Sequence, residues 1–237
     1  MCPECMSQQR SAPISRQFRR NKLLSRVHAD TPIVTYTIAA ICVVMFLLQS
    51  IPGGIGTSIT QGLWYAGIYS SAADFQPWRM LTMMFLHANI LHIALNMYAF
   101  ISLGRVLEPA TGRLRFAALY FISGFAGSVF LLLLASPLQP SLGASGGIVG
   151  LFAAAAVLRR RFDAGLLPSV IVMVIMVAIG FLPGFNIAWQ VHLGGIIGGA
   201  AVGLVYRLTV KSSTRKWQLP LTIVVVALFA LLSLSAF

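Results

Sequence analysis

A serine and a histidine, Ser145 and His192, stand at matching heights above two basic anchors in an otherwise apolar chain. Ser145 lies in Gly143-Ala144-Ser145-Gly146-Gly147, and the apolar run after it ends at Arg159-Arg160-Arg161, 14 residues on. His192 lies in Trp189-Gln190-Val191-His192-Leu193-Gly194-Gly195, and its run ends at Arg207, 15 residues on. At a helical rise of ~1.5 Å per residue, both side chains reach ~21–22 Å above their arginines. That height falls inside a hydrocarbon layer of ~30 Å. A hydroxyl becomes a useful nucleophile when a neighbouring base takes its proton. An imidazole can accept that proton and later hand it to a leaving amine. The chemistry expected of the pair is acyl transfer on a peptide bond within the bilayer.

Two further polar side chains belong to the same layer. His92 lies 13 residues before Arg105, ~20 Å above it on helical rise. Asn96 shares its helix face at i, i+4. With the Ser145 backbone N–H at a helix start, His92 and Asn96 are candidate donors to a tetrahedral oxyanion, and the helix dipole adds favourable potential there. No carboxylate is placed to orient His192. Glu4, Asp30, Glu108 and Asp163 belong to the basic side, and Asp74 to the opposite loop. The expectation is therefore a Ser–His dyad.

Glycines suggest how these groups could approach. Gly146-xxx-Gly150-xxx-Ala154 and Gly195-xxx-Gly199-xxx-Gly203, with Gly194-xxx-Gly198 beside the latter, are small-residue faces. Such faces let helix backbones pack closely. Gly143-Ala144-Ser145-Gly146-Gly147 also fits the G-x-S-x-G elbow of soluble hydrolases. That reading needs a strand before the serine and a soluble α/β sheet, and neither is visible.

The elements that must position these residues are membrane spans. Hydrophobic residues make up 58% of the chain and charged residues 9%, with a mean hydropathy of +0.85. This excludes an ordinary soluble domain. Seven apolar spans are expected: Pro32–Ser50, Ile90–Leu103, Leu114–Ala135, Ser145–Leu158, Leu166–Leu182, Ala188–Tyr206 and Leu219–Phe237. The second and fourth are too short to cross ~30 Å alone, which is tolerated where ends are buried in protein or line a watery cavity. The net charge of +12 is distributed over alternate loops, and the other loops hold only Arg79. The positive-inside rule then puts the N-terminus in the cytoplasm and the C-terminus outside. Basic residues so placed are topology signals that attract anionic lipid, and no nucleic-acid partner is expected.

The predicted organisation is all-α and polytopic. Residues 1–31 form a basic cytoplasmic segment, 32–207 a six-helix catalytic core, and 208–237 a cytoplasmic linker with a seventh helix. The one long outer loop, about 51–88, carries Trp64, Tyr65, Tyr69, Phe75 and Trp78, residue types that anchor at the headgroup level. No cleaved signal peptide is evident. Cys2-Pro3-Glu4-Cys5 has the spacing of half a zinc knuckle, but a structural site needs four ligands. No metal or cofactor is expected, and no disulfide on the cytoplasmic side.

In combination these residues resemble the rhomboid intramembrane serine proteases, over about Trp78–Arg207. Gly143-Ala144-Ser145-Gly146 is similar to the family's G-x-S-G nucleophile site, and His192 with Gly194-Gly195 to its base helix. His87, His92 and Asn96 match an H-x4-H-x3-N pattern whose second histidine and asparagine serve the oxyanion. Trp78-Arg79 matches the W-R of the first outer loop, and Glu108 the acidic residue closing the second helix. The resemblance implies a six-helix core plus one appended helix. It also implies cleavage of other proteins' transmembrane segments near the outer face, beside small residues. The fifth span, Leu166–Leu182, would be the flank through which substrate enters. The implied location is a bacterial inner membrane. Four residues after the nucleophile, where the family often has an aromatic packed on the catalytic imidazole, this chain has Val149. Orientation of His192 would then fall to another group such as Trp189 or Phe152. The Cys2–Cys5 pair resembles part of an N-terminal zinc-ribbon extension on some bacterial members.

Two other classes compete. An inactive rhomboid-like protein that only binds membrane proteins would generally lack the Ser or the His, and both are present. A transporter would need a continuous path and coupling residues, yet the spans contain no carboxylate.

Overall fold

Apolar runs punctuated by glycine and basic residues fold as helices because a lipid-facing backbone must satisfy its own hydrogen bonds. The computed structural model describes residues 31–158 and 188–235, with the single positions 171, 174, 175 and 178. The helices are α1 Ile33–Gln49, α2 Ile55–Leu63, α3 Arg79–Thr82, α4 Ile90–Thr111, α5 Arg113–Leu134, α6 Ser145–Leu158, α7 Trp189–Leu208 and α8 Gln218–Leu234. Among the described residues the only β-type pairing is one isolated bridge, Tyr65 to Ser141. Helices α4, α5, α7 and α8 (with the turn before it) are long and apolar enough to cross a membrane, and α1 and α6 are shorter apolar helices. The protein is all-α and polytopic. Cys2, Cys5, the basic N-terminal segment, Arg159–Arg161, Asp163 and most of the expected fifth span lie outside the described residues.

One span differs from expectation. Ile90–Leu103 was expected to end before Arg105, but α4 continues for 22 residues and includes Arg105 and Glu108. Arg105 stays exposed and donates from Nε to the Tyr36 hydroxyl at 2.9 Å, so its charge reaches the surface while its backbone remains helical. The helix stops at Gly112, whose φ of +89° ends it and lets α5 start at the next residue. Glu108 does more than close α4. Its buried carboxylate accepts from Val34 N–H at 3.0 Å, Thr35 N–H at 2.8 Å and the Thr35 hydroxyl at 2.7 Å. It thereby caps α1, whose flanking Pro32 makes no side-chain cap bond, and brings a negative charge to the positive end of that helix.

Helix α6 packs against both α5 and α7, which also pack directly on each other. The fourteen described residues of α6 span only ~21 Å, less than a ~30 Å layer. Its glycines set how close its neighbours come. A Cβ at Gly195 would overlap the Gly146 carbonyl, one at Gly199 the Gly150 backbone, and one at Gly203 would lie 2.9 Å from Ala154 Cα. The second stripe on α7 serves a different partner: Gly194 and Gly198 both face Ala126 of α5. Helix α8 buries Phe229 alone and is otherwise mostly exposed apolar surface, as a helix against lipid should be.

The connection from 51 to 88 is structured by Arg79. This arginine is buried and donates from Nη1 to the carbonyls of Gln61 (2.6 Å) and Trp64 (3.1 Å), and from Nε to Gln76 Oε1 at 2.6 Å. Its guanidinium carbon sits 4.0 Å from the Tyr69 ring centroid. It therefore supplies donors to the open carbonyls at the end of α2 and a cation to an aromatic face. The five loop aromatics divide. Phe75 and Trp78 are exposed, whereas Tyr65 is fully buried with its hydroxyl 2.7 Å from Ser70 Oγ. Tyr65 is thus a core residue of the loop rather than a headgroup anchor, because its backbone pairs with Ser141.

Candidate active site

The segment leading into α6 is held from three directions. Tyr65 and Ser141 exchange backbone hydrogen bonds at 3.1 and 2.8 Å, Ile68 N–H donates to Pro137 O at 2.9 Å, and Gly143 N–H donates to Met83 O at 2.9 Å. Gly143 adopts φ +132°, a conformation natural only to glycine. With the strand-like approach fixed, Ser145 becomes the first residue of α6, where backbone N–H groups have no intrahelical acceptor.

His192 lies in the first turn of α7 and is 3% exposed. Its Nε2 is 2.9 Å from Ser145 Oγ, a normal hydrogen-bond distance. The other ring nitrogen, Nδ1, is buried and has no hydrogen-bond partner among the described residues, so none of the described carboxylates orients the ring from that side. Val149 occupies the region one turn beyond, with Cγ2 3.0 Å from where a Gly195 Cβ would stand. Val191 fixes the start of α7 by packing against Gly127 of α5 and Gly146 of α6.

His92 arrives from α4. Its helix begins at Asn89, whose side chain accepts from His92 N–H at 2.9 Å. A methyl group added to Gly143 would lie 2.9 Å from both His92 Cε1 and Nε2 and 3.9 Å from Ser145 Oγ. The imidazole edge and the hydroxyl therefore border one point. His92 Nδ1 accepts a long bond, 3.4 Å, from Ala88 N–H. An accepting Nδ1 in a neutral imidazole leaves the proton on Nε2, the atom beside Gly143.

Asn96 is fully buried one turn further along. Its Nδ2 donates to the His92 carbonyl at 2.9 Å, and its Oδ1 has no partner. No hydrogen bond joins it to Ser145 or His192 in this arrangement. His87 is 1% exposed, and its ring lies edge-on to His92 with centroids 5.1 Å apart. Burial pushes the His87 imidazole down to about 3; the neighbouring His92 adds to this and the Phe85 backbone opposes it. It is thus a neutral packing wall behind His92. Trp78 is exposed in the loop and Arg79 is the loop's organiser, and neither makes a hydrogen bond to Ser145 or His192.

Sequence reasoning did not identify Gln49, whose Oε1 accepts from His87 N–H at 3.0 Å. It also missed Ser128, whose hydroxyl donates to Met80 O at 2.6 Å and ties the loop to α5. A lone amide near the end of an apolar span was the available signal for the first. The second is one of several small residues on α5, and nothing in the sequence distinguishes it.

A family model described as the Rhomboid domain matches residues 74–209, which contain His87, His92, Asn96, Ser145 and His192. The chain belongs to the rhomboid family. Rhomboid relatives include "Rhomboid protease GluP" of Bacillus subtilis (strain 168), 36% identical over 183 residues, covering 73% of this chain and 35% of that protein. "Rhomboid-like protease 3" of Toxoplasma gondii is 32% identical over 198 residues, covering 79% of this chain and 73% of that protein. "RHOMBOID-like protein 6, mitochondrial" of Arabidopsis thaliana is 33% identical over 152 residues, covering 60% of this chain and 48% of that protein. The chain spans about a third to a half of the Bacillus and Arabidopsis rhomboids it matches.

Proposed function

We propose that this rhomboid protein is an intramembrane serine endopeptidase that cleaves transmembrane segments of other proteins. The observation that carries the reading is the 2.9 Å approach of His192 Nε2 to Ser145 Oγ, with His92 Nε2 beside the same point. In this reading Ser145 Oγ attacks the scissile carbonyl carbon while its proton passes to His192 Nε2. The carbonyl oxygen becomes an oxyanion facing His92 Nε2–H and the N-terminal N–H groups of α6, whose helix dipole favours negative charge. Collapse expels the amine, which takes the proton from His192 and leaves an acyl-serine. Water, deprotonated by the same imidazole, attacks the acyl carbon and releases the new carboxylate and Ser145.

Asn96 supports this site in the proposal by holding the His92 backbone, and its remaining amide hydrogen is a second candidate oxyanion donor. Gly146 and Gly195 bring α6 and α7 close enough for a short hydroxyl and an imidazole to touch. Residues 32–207 would constitute the catalytic core and 208–237 the appended segment. The ends of α4, α5 and α7 carrying Arg105, Arg113, Arg115 and Arg207 would face the cytoplasm under the positive-inside rule, in a bacterial inner membrane.

The test is cleavage of a model transmembrane substrate in proteoliposomes by wild type, Ser145→Ala and His192→Ala, with labelling by a fluorophosphonate. Cleavage and labelling by the wild type, lost in both variants while thermal unfolding is retained, is the expected outcome. A Ser145→Ala protein that still cuts would refute the assignment. A folded wild type that neither cuts nor labels would favour a binding role instead.

A further inference from the structure

The end of the bundle opposite Ser145 holds a second feature that the proposed chemistry does not use. A cavity of about 380 Å³ opens between the C-terminal ends of α4, α6 and α7 and the start of α8, and its lining includes Arg115, Tyr206, Thr209, Arg215 and Gln218. That volume is within the usual range for small-ligand sites, ~300–1,000 Å³. None of its described lining residues is acidic.

Part of the basic lining is committed to the protein. Arg115 donates from Nε to Gln218 Oε1 at 2.5 Å and from Nη1 to Thr111 O at 3.1 Å, and Gln218 Nε2 donates to Thr209 Oγ1 at 3.0 Å. Helix C-terminal carbonyls attract such donors, and Arg207 does the same for Val157 O at 3.1 Å. Two groups remain. Arg115 Nη2 and the whole Arg215 guanidinium make no hydrogen bond to a described residue, although both line the cavity. The first turn of α5 also reaches the cavity through Arg115, and open N–H groups at a helix start favour an anion. A neighbouring cavity of about 600 Å³ shares Thr111 and Arg115 and adds Arg113. Its one carboxylate, Glu108, is already occupied by Val34 and Thr35. Among the described residues the lining of the first cavity therefore holds two arginines and no acid, while Glu108 beside it is turned to the start of α1.

We propose that this cavity binds a phosphate group, gripped between Arg115 of α5 and Arg215 ahead of α8. A guanidinium offers a planar fork of donors matched to phosphate oxygens, and basic pockets between transmembrane helices recognise acidic headgroups. Occupancy would tie α8, which buries little of itself, to the core. The phosphate has two possible sources, an acidic phospholipid headgroup or free phosphate. The inference does not depend on the proteolytic reading.

The test uses the full chain, delipidated in detergent, with native mass spectrometry reading retention of phosphatidylglycerol against phosphatidylcholine of equal chain length. Wild type should prefer phosphatidylglycerol. Arg215→Gln, which removes no internal hydrogen bond, should reduce that preference by about five-fold, the effect of one basic residue near an anionic headgroup. Arg115→Gln with Arg215→Gln should abolish it, whereas Arg105→Gln, outside the cavity, should not. Displacement of the lipid by millimolar inorganic phosphate, or a phosphate-dependent rise in unfolding temperature lost in Arg215→Gln, would assign the site to the free anion. Equal retention of the two lipids with no effect of phosphate, or an undiminished preference in both Arg215 variants, would overturn the proposal.

Discussion

Replacing Gly143 by alanine isolates the relation between His92 and Ser145. Two costs can be read from the structure. A Cβ on a residue held at φ +132° is strained by about 1–3 kcal/mol. The same Cβ would stand 2.9 Å from the His92 ring, so the ring must retreat by roughly 0.6 Å to reach the ~3.5 Å of ordinary carbon contact. Removing an oxyanion donor costs about 10²–10³ in turnover, and a 1 Å misplacement can cost about 10². Gly143→Ala should therefore lower kcat by roughly 10- to 100-fold with little change in KM. Its unfolding temperature should fall by several degrees, at about 2–4 °C per kcal/mol for a chain of this size. The assay is steady-state cleavage of a reconstituted transmembrane substrate, with thermal unfolding in the same detergent. Gly62→Ala is the control, since a Cβ there meets nothing within 4 Å. A Gly143→Ala protein with turnover within about three-fold of wild type would show that the position of His92 beside Gly143 does not matter to the chemistry.

Three further outcomes are expected. Gly199→Ala would push a Cβ into the Gly150 backbone; α6 and α7 should separate, and both cleavage and fluorophosphonate labelling should fall, with a stability loss of about 1–3 kcal/mol or more by thermal unfolding. Glu108→Gln replaces one accepting oxygen by a donor facing the α1 N-terminus, so about 2–4 kcal/mol of stability should be lost while activity per folded molecule stays near wild type. His87 titrates near its ordinary value when unfolded and about 3 when folded. The unfolded state then binds the extra proton between those values, and its contribution to stability, complete at neutral pH, is lost as pH falls from about 6.5 toward 3, by up to ~1.4 kcal/mol per unit. His87→Gln should flatten that slope in chemical denaturation across pH 4–6.5, and an unchanged slope would exclude His87 as its source.

The limits of sequence reading show in particular residues. The 14-residue length of α6 and the matching 14 and 15 residues from Ser145 and His192 to their arginines are linear quantities. Run length, helical rise and charge position therefore place a hydroxyl and an imidazole at one depth without knowledge of any contact. The same reasoning missed the true end of α4, because an arginine near the surface ends an apolar run without ending a helix. It also assigned Tyr65 to the headgroups, since aromatic character does not reveal that a backbone will pair with Ser141.

What the chain determined alone was its class: apolar helices with basic residues in alternate connections, small-residue faces on α6 and α7 and few polar groups inside. These follow from local composition, which lipid and backbone hydrogen bonding convert directly into helices. Only the tertiary structure decided that Gly195, Gly199 and Gly203 face α6 while Gly194 and Gly198 face α5. It alone placed His92 against Gly143 and brought His192 Nε2 to 2.9 Å from Ser145. Helix rotation and loop anchorage depend on contacts between residues tens of positions apart, and one-dimensional periodicity carries no record of which distant surface a given face will meet.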